Sequence, residues 1–415
     1  MSTKKFFQDI LLNNASQGLQ FGSRWLFNIT LINVLDITSY AVFSFIYSLS
    51  NILVAVLPFG SSVFLIHQAK EMDASKQKLV DAISIATLLC VVVFVVYLVL
   101  SPLLWYVKSW GLYPYGIILS YVLSLNLILF SFFKGIGDFA KELKAYSLFF
   151  ILLLGFIGYL FFIPDSVKNV EFIFWVLIGI NFLIFLLTFF SSKRIYKGFF
   201  DRSLWQRKKQ LISAFKDRKY FGLQEVVTAL YTQSGMLLLF YLLSAETYGY
   251  YRALFVIIAP LFLVTVSFSQ VLLNYLKNLK ANLLKRNFRK IQLYTSAVGL
   301  LLIAVPYFLK EWLFEIIKVP VNDETVLAFT IVLGAALLRF VFANYEMLLI
   351  VFDKQKYRFY IVFIVALINI TLVFTLLPKY GLIGAVLTNL LTYLSLFVGL
   401  MIFSENQFKI KKGFD

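Results

Sequence analysis

The sequence predicts an all-α polytopic membrane protein: twelve transmembrane helices in two parallel, pseudo-symmetric six-helix lobes around a central cavity. Three observations lead there. Of 415 residues, 61% are hydrophobic and only 14% charged, with a mean hydropathy of +0.85, whereas a soluble domain is about half apolar. Apolar windows of about 20 residues, enough to cross ~30 Å of hydrocarbon, recur along the whole chain. Basic residues gather in every second segment between those windows. A transmembrane barrel would instead show alternation over ~10-residue strands.

The spans follow in order. The first, 9–32, is unusually polar; the second, 40–66, contains Pro58 and Gly60; the third, 82–106, is uncharged. Spans at 112–133, 145–163 and 171–191 complete the first half. The second half contributes 221–243, 247–275, 291–309, 326–351, 359–377 and 380–403. Between the halves lies the most hydrophilic stretch, 191–220, where Lys193, Arg194, Lys197, Arg202, Arg207, Lys208, Lys209, Lys216, Arg218 and Lys219 face only Asp201 and Asp217.

That charge reports topology. With twelve spans, 30 of the 38 Lys and Arg residues fall on the side of both termini and 5 on the other; Arg24, Arg252 and Arg339 lie inside spans. Positive segments stay cytoplasmic, so both termini and the central stretch are expected there. The net charge of +17 then reflects topology and attraction to anionic headgroups, not a nucleic-acid partner. No cleavable signal peptide is expected, because the N-terminal stretch lacks a compact apolar core and a small-residue cleavage site. Residues 1–205 form the N-terminal lobe, with a cytoplasmic connector beginning near 192, and 206–415 form the C-terminal lobe.

A shift of 208 residues places Leu35, Tyr40, Leu53, Val56, Ser61, Val63 and Leu65 on Leu243, Tyr248, Leu261, Val264, Ser269, Val271 and Leu273. Both segments form the second helix of their half. Six spans return the chain to the cytoplasm, so the halves run parallel, a common transporter plan. Gly155-x-x-Gly158 and Gly381-x-x-Gly384 read as places of close helix approach.

Chemistry must reside within the bilayer or at its surface. The lone Cys90 offers neither a disulfide nor a thiolate cluster, and the lone His67 sits at a span end as an incidental interfacial residue. No phosphate-binding loop, zinc spacing or nucleophile elbow occurs. The reading is a transporter with no metal and no cofactor, its only small co-solute being a coupling H+ or Na+.

In the first span Asn13, Gln17, Gln20, Arg24 and Asn28 are spaced 4, 3, 4 and 4 apart, which keeps them on one helical face. An arginine at mid-span costs at least ~2.5 kcal/mol, so it faces protein or water. Five polar positions exceed what packing needs and point to a wet cavity; the competing reading is a buried helix with Arg24 paired structurally. Arg339 is a second mid-span cation. Glu346 follows two turns later, about 10 Å along the same face, leaving a polar pair and a substrate site both open. Arg252 starts the eighth span, where snorkelling to the interface is the plain alternative. Glu225, Glu346 and Asp36 are the carboxylates considered for ion coupling.

Here the pattern resembles a family. The polar first helix is followed by YAVFSFIYSLSNILVAVLPFGSSVFLIHQAK; AETYGYYRALFVIIAP parallels it in the second half; and LPKYGLIGAVLTNLLTYLSLF looks like a closing helix pair. With the 6+6 helices, these resemble the Wzx-type polysaccharide flippases of the multidrug/oligosaccharidyl-lipid/polysaccharide (MOP) exporter superfamily, over essentially the whole chain. The resemblance implies flipping of an undecaprenyl-diphosphate-linked oligosaccharide, for O-antigen, capsule or similar polysaccharide, from the cytoplasmic to the outer leaflet of the bacterial inner membrane. It implies lobes rocking about a cavity, with Arg24 and Arg252 at the places of family cations. Arg339 is added from its depth, and Gln17, Gln20 and Asn28 as polar neighbours of Arg24. Expected partners are the lipid-linked oligosaccharide, membrane lipids, a polysaccharide polymerase and a chain-length regulator. The lipid II branch of the superfamily has helices after the twelfth, so a chain ending at Asp415 points away from that branch. The alternatives are a multidrug exporter, which would prefer an acidic cavity, and a membrane polymerase, which would need a large outside loop.

Overall fold

In a computed structural model of the chain, residues 3–68, 72–103, 106–107, 109–164, 167–191, 208–277, 281–352 and 354–412 are described, and no strand occurs among them. The basic stretch 192–207 lies outside the described residues. In order the helices are α1 (Thr3–Val34), α2 (Ile37–Val56), α3 (Ser61–Gln68), α4 (Met72–Leu100), α5 (Tyr113–Gly135), α6 (Phe139–Leu160) and α7 (Val170–Phe190). There follow α8 (Lys208–Leu242), α9 (Ala245–Lys277), α10 (Ala281–Phe308), the short α11 (Lys310–Ile316), α12 (Asp323–Val351) and α13 (Gln355–Lys412).

Each of the twelve predicted spans falls on this helical scaffold. Among the described residues eight helical stretches are long and apolar enough to cross a membrane, and one of them, Lys356–Phe408, carries both the eleventh and twelfth spans. Two departures from one helix per span have local causes. The second span breaks at Pro58–Gly60, where Phe59 and Gly60 take φ of 44° and 72° and α3 restarts at Ser61. The last two spans join without a loop. Gly381, three residues after Pro378, takes φ 49°, ψ −121° and folds α13 back on itself; that backbone is open to glycine and strained for other residues.

The two glycine pairs behave differently. A Cβ on Gly384 would lie 2.4 Å from the Leu376 carbonyl oxygen, so the arms of α13 do approach there. Gly155 and Gly158 do not serve close approach: a Cβ on either meets nothing within 4 Å. The packing face of α6 is instead Ala145, Phe149, Leu153, Phe156 and Leu160, and the glycines fall beside that stripe.

The chain forms two compact units, one from 1–27 and 42–237, the other from 28–41 and 238–415. In the first, α5 is central and packs on α3, α4, α6 and α7. Ile128, Leu129, Phe132 and Phe133 meet Leu65, Leu79, Ala82, Ala86 and Phe189 there. In the second, α12 packs on α9, α10 and α13. A capping box between Asn322 and Thr325 opens α12, satisfying donors that a helix start leaves orphaned. Residues 28–41 are held within this second unit. Asn33 Nδ2 donates to the Ile316 carbonyl at 2.8 Å, and Lys318 Nζ donates to the Asn33 carbonyl at 2.6 Å. Gly249 approaches so closely that a Cβ would lie 2.7 Å from the Ile37 carbonyl oxygen.

The outward faces are apolar. Val91, Val95 and Val99 on α4 are 50–65% exposed, and Leu300, Leu301 and Phe308 on α10 are 59–81% exposed. A water-soluble bundle rarely leaves continuous apolar stripes of this kind uncovered. Helices that satisfy their own backbone while turning apolar side chains outward suit hydrocarbon as solvent. The chain is a multi-pass membrane protein.

Candidate functional site

Five helices of the first unit enclose a cavity of about 180 Å³. α1 contributes Gln20, Arg24 and Phe27, α2 contributes Tyr47 and Asn51, α5 contributes Asn126, α6 Tyr146 and α7 Asn181, with Leu119, Leu123, Leu153, Leu177 and Ile184 among the apolar walls. Gln20 and Arg24 arrive together because a spacing of four puts them one turn apart on α1. Phe27 anchors that helix, with its ring 6.1 Å from both Phe43 and Phe156. Tyr47 is held by stacking on Phe43 at 5.6 Å. Asn126 Nδ2 donates to the backbone carbonyl of Asn181 at 2.9 Å, and Asn181 Nδ2 donates to the Leu177 carbonyl at 2.8 Å.

The lining has a definite sign. Among the described residues it contains one cation, Arg24, several amides and two phenols, and no carboxylate. A guanidinium held among apolar walls at membrane depth favours an anion, and its planar fork suits phosphate or carboxylate oxygens.

Among the residues nominated from sequence, Gln20 and Arg24 reach this cavity. Gln17, a turn earlier, is half-buried and does not line it, and Asn28 belongs to the second unit. Arg252 is half-buried on α9, beside the fully enclosed Tyr251. The Arg339 guanidinium lies 5.0 Å from the Phe262 ring and 5.9 Å from that of Phe342, and its buried Nε has no hydrogen-bond partner among the described residues. Glu346 is engaged by Arg358 at 3.5 Å. Arginine on an aromatic face is stabilised without a carboxylate, which explains how Arg339 is accommodated. His67 carries no described side chain.

The remaining carboxylates hold helix starts. Asp36 accepts the N–H groups of Thr38 and Ser39, each at 2.9 Å, as the cap of α2. Partial burial opposes its ionisation, yet hydrogen bonds from Ser39 and Thr38 keep the carboxyl below its ordinary range. Glu225 accepts the Gly60 N–H at 3.1 Å and the Ser62 hydroxyl at 2.6 Å, at the start of α3. Arg218, on the same face of α8 by spacings of four and three through Gly222, completes a clamp. It is 1% exposed, donates to Ser61 Oγ at 2.8 Å and to the Lys78 carbonyl at 3.2 Å, and lies 4.6 Å from the Phe64 ring. Burial pushes its guanidinium down to about 10, against the pull of Asp81 and Asp217, so it stays charged near neutrality.

Sequence reasoning missed Asn51, Asn126 and Asn181. The available signal was a lone amide in the middle of each of the second, fourth and sixth spans, a polar group that an apolar helix does not need.

No model of a known protein family matches the chain, and no curated protein sequence matches it. Solved structures share its fold, among them a lipid II flippase and transporters of the MOP superfamily. The lipid II flippase MurJ, in an inward closed conformation, matches with a TM-score of 0.70 at 16% identity, over 95% of this chain and 87% of that one. A MOP superfamily transporter from Pyrococcus furiosus, described by the reversed polarity of its binding pocket, matches at 0.67 and 11% identity, over 99% and 96%. An inward-facing multidrug resistance MATE transporter matches at 0.61 and 14%, over 96% of each chain.

Proposed function

We propose that the chain is a flippase of Wzx type that moves an undecaprenyl-diphosphate-linked oligosaccharide from the cytoplasmic to the outer leaflet of the bacterial inner membrane. The observation that carries this reading is the first-unit cavity, lined by Arg24 and amides with no carboxylate among the described lining residues. A diphosphate leaving water needs fixed positive partners, and sugar hydroxyls need amides. A cationic drug would meet the wrong sign here. Gln20 lines the same cavity, and Arg252, Arg339, Gln17 and Asn28, which lie outside it, stay proposed as substrate contacts on their sequence positions. Glu225, Glu346 and Asp36 stay assigned to coupling with H+ or Na+. The glycan serves O-antigen, capsule or a similar surface polymer, handed on to a polymerase and its chain-length regulator.

Arg24 tests the reading. A charged hydrogen bond contributes about 1.5–3 kcal/mol, which is roughly ten- to a hundredfold in affinity. Arg24→Ala is expected to abolish or severely reduce surface polysaccharide in a flippase-null strain while membrane abundance holds. Arg24→Lys, which keeps the charge and loses the fork, is expected to retain part of the activity. Full complementation by Arg24→Ala would remove this residue from the substrate site.

On the proposed topology, Lys208→Cys in a Cys90→Ser background is shielded from an impermeant thiol reagent on intact cells, while Ser109→Cys and Val321→Cys react. Labelling at position 208, or silence at both outer positions, would overturn it.

A further inference from the structure

The inference here rests on the anion-binding reading of the first-unit cavity and concerns an amide in its α5 wall. Asn126 lies in the middle of α5 and is 5% exposed. Its amide orientation is not a free choice. Nδ2 points to the Asn181 carbonyl at 2.9 Å, and exchanging N for O would set carbonyl against carbonyl. Asn181 is itself tied back to Leu177 at 2.8 Å, so both amides are pinned. With Nδ2 committed, Asn126 Oδ1 is left buried with no hydrogen-bond partner among the described residues.

A buried acceptor left unmatched is unfavourable, and leucine of nearly the same volume would remove the problem. The arrangement makes chemical sense if the occupant of the cavity supplies a donor. Bare phosphate and diphosphate, ionised near neutrality, present mainly acceptor oxygens; they satisfy Arg24 and repel Oδ1. A glycosyl phosphate carries both features within one compact group: anionic oxygens, and hydroxyl or acetamido N–H donors on the adjoining ring. A cavity of about 180 Å³ suits such a group rather than a whole oligosaccharide.

We propose that Asn126 is a specificity-determining residue, which reads a hydroxyl or N–H donor of the sugar next to the phosphate held by Arg24, with the Asn181 carbonyl as its positioning partner. The site discriminates by the cost of leaving its acceptor unmatched when the ligand has no donor.

The probes are two monoesters of equal charge, methyl phosphate and N-acetylglucosamine 1-phosphate, titrated calorimetrically into the detergent-solubilised full chain. The wild type is expected to favour the sugar phosphate by on the order of tenfold. Asn126→Leu is expected to bring the two affinities together, within about twofold, while methyl phosphate binding is unchanged and Arg24→Gln weakens both. Asn126→Ala reads the same ratio should the leucine variant not fold. A sugar preference that survives in a folded Asn126 variant, or no preference in the wild type, overturns the role of Asn126 and leaves the anion site standing. Absence of binding by either phosphate, or indifference to Arg24→Gln, overturns the anion site itself and this inference with it.

Discussion

Gly60→Ala is expected to remove most of the protein from the membrane. Gly60 sits at φ 72° in the break of the second span, and an added Cβ would lie 2.4 Å from the Gly222 backbone nitrogen and 2.7 Å from Phe221 Cβ. Left-handed backbone costs a non-glycine residue roughly 1–2 kcal/mol. Forcing atoms into a filled contact adds about 1–3 kcal/mol, and the nearest atom here is backbone on a long helix, with little room to give. The expected loss, on the order of 3 kcal/mol, is a large share of a typical domain's stability. Gly155→Ala is the matched control. It meets open space and gains up to ~1 kcal/mol in helix propensity. The readout is membrane abundance together with the thermal midpoint of the solubilised protein. Equal behaviour of the two variants would show that the Gly60–Gly222 contact is not close-packed.

Glu225→Leu is the second large effect. The carboxylate is matched by two donors at the start of α3, one of them a backbone N–H that has no helical carbonyl to turn to. Removing it loses hydrogen bonds to a charged group, about 1.5–3 kcal/mol for each. Glu225→Gln keeps an amide oxygen that can accept from one of the two donors, so it is expected to fall between wild type and leucine. Arg218→Met is expected to match the leucine variant in abundance, because the guanidinium binds the adjacent Ser61 and the α4 backbone. Arg218→Lys is expected to recover part of the loss, since a point charge cannot reproduce the two-ended grip. The two residues grip the same short segment, Gly60 to Ser62, so Glu225→Leu with Arg218→Met should cost less than the sum of the two. Strict additivity in thermal midpoint would dissolve the clamp into unrelated contacts.

The helical segments were legible because hydropathy over about 20 residues responds to the solvent, and that signal survives without knowledge of packing. Pro58 and Gly60 were visible within the second span, and the boundary between the last two spans fell near Pro378; the break at the first and the fold-back at Gly381 came only with the backbone. Arg24 was legible for the same reason: a charge inside an apolar window stands out against its background.

What remained hidden depends on which faces meet. The cavity needs one face from each of five helices, and periodicity along any one helix does not say which neighbour its face will find. Asn126 and Asn181, 55 residues apart in the chain, became a pair only on packing. The structural partners of Glu225, Gly60 and Ser62, lie more than 160 residues earlier and so were out of reach of any local pattern. Gly155 and Gly158 misled in the opposite direction. Small residues permit close approach only where the helix turns that side inward, and α6 packs through its aromatic and leucine stripe instead.

The short stretch 28–41, which holds the end of α1 and the start of α2 yet joins the second compact unit, bears on how the gene could be divided. A C-terminal fragment beginning at the basic connector would lack the peptide that supplies Asn33 to Ile316 and Lys318, and Ile37 to Gly249. Its expression alone would leave a slot open to lipid or to a chaperone. Any two-piece version of this protein would therefore need that peptide grafted onto the downstream fragment, or co-synthesis with an upstream piece long enough to lend it. The two internally similar halves of the coding sequence are not two portable modules.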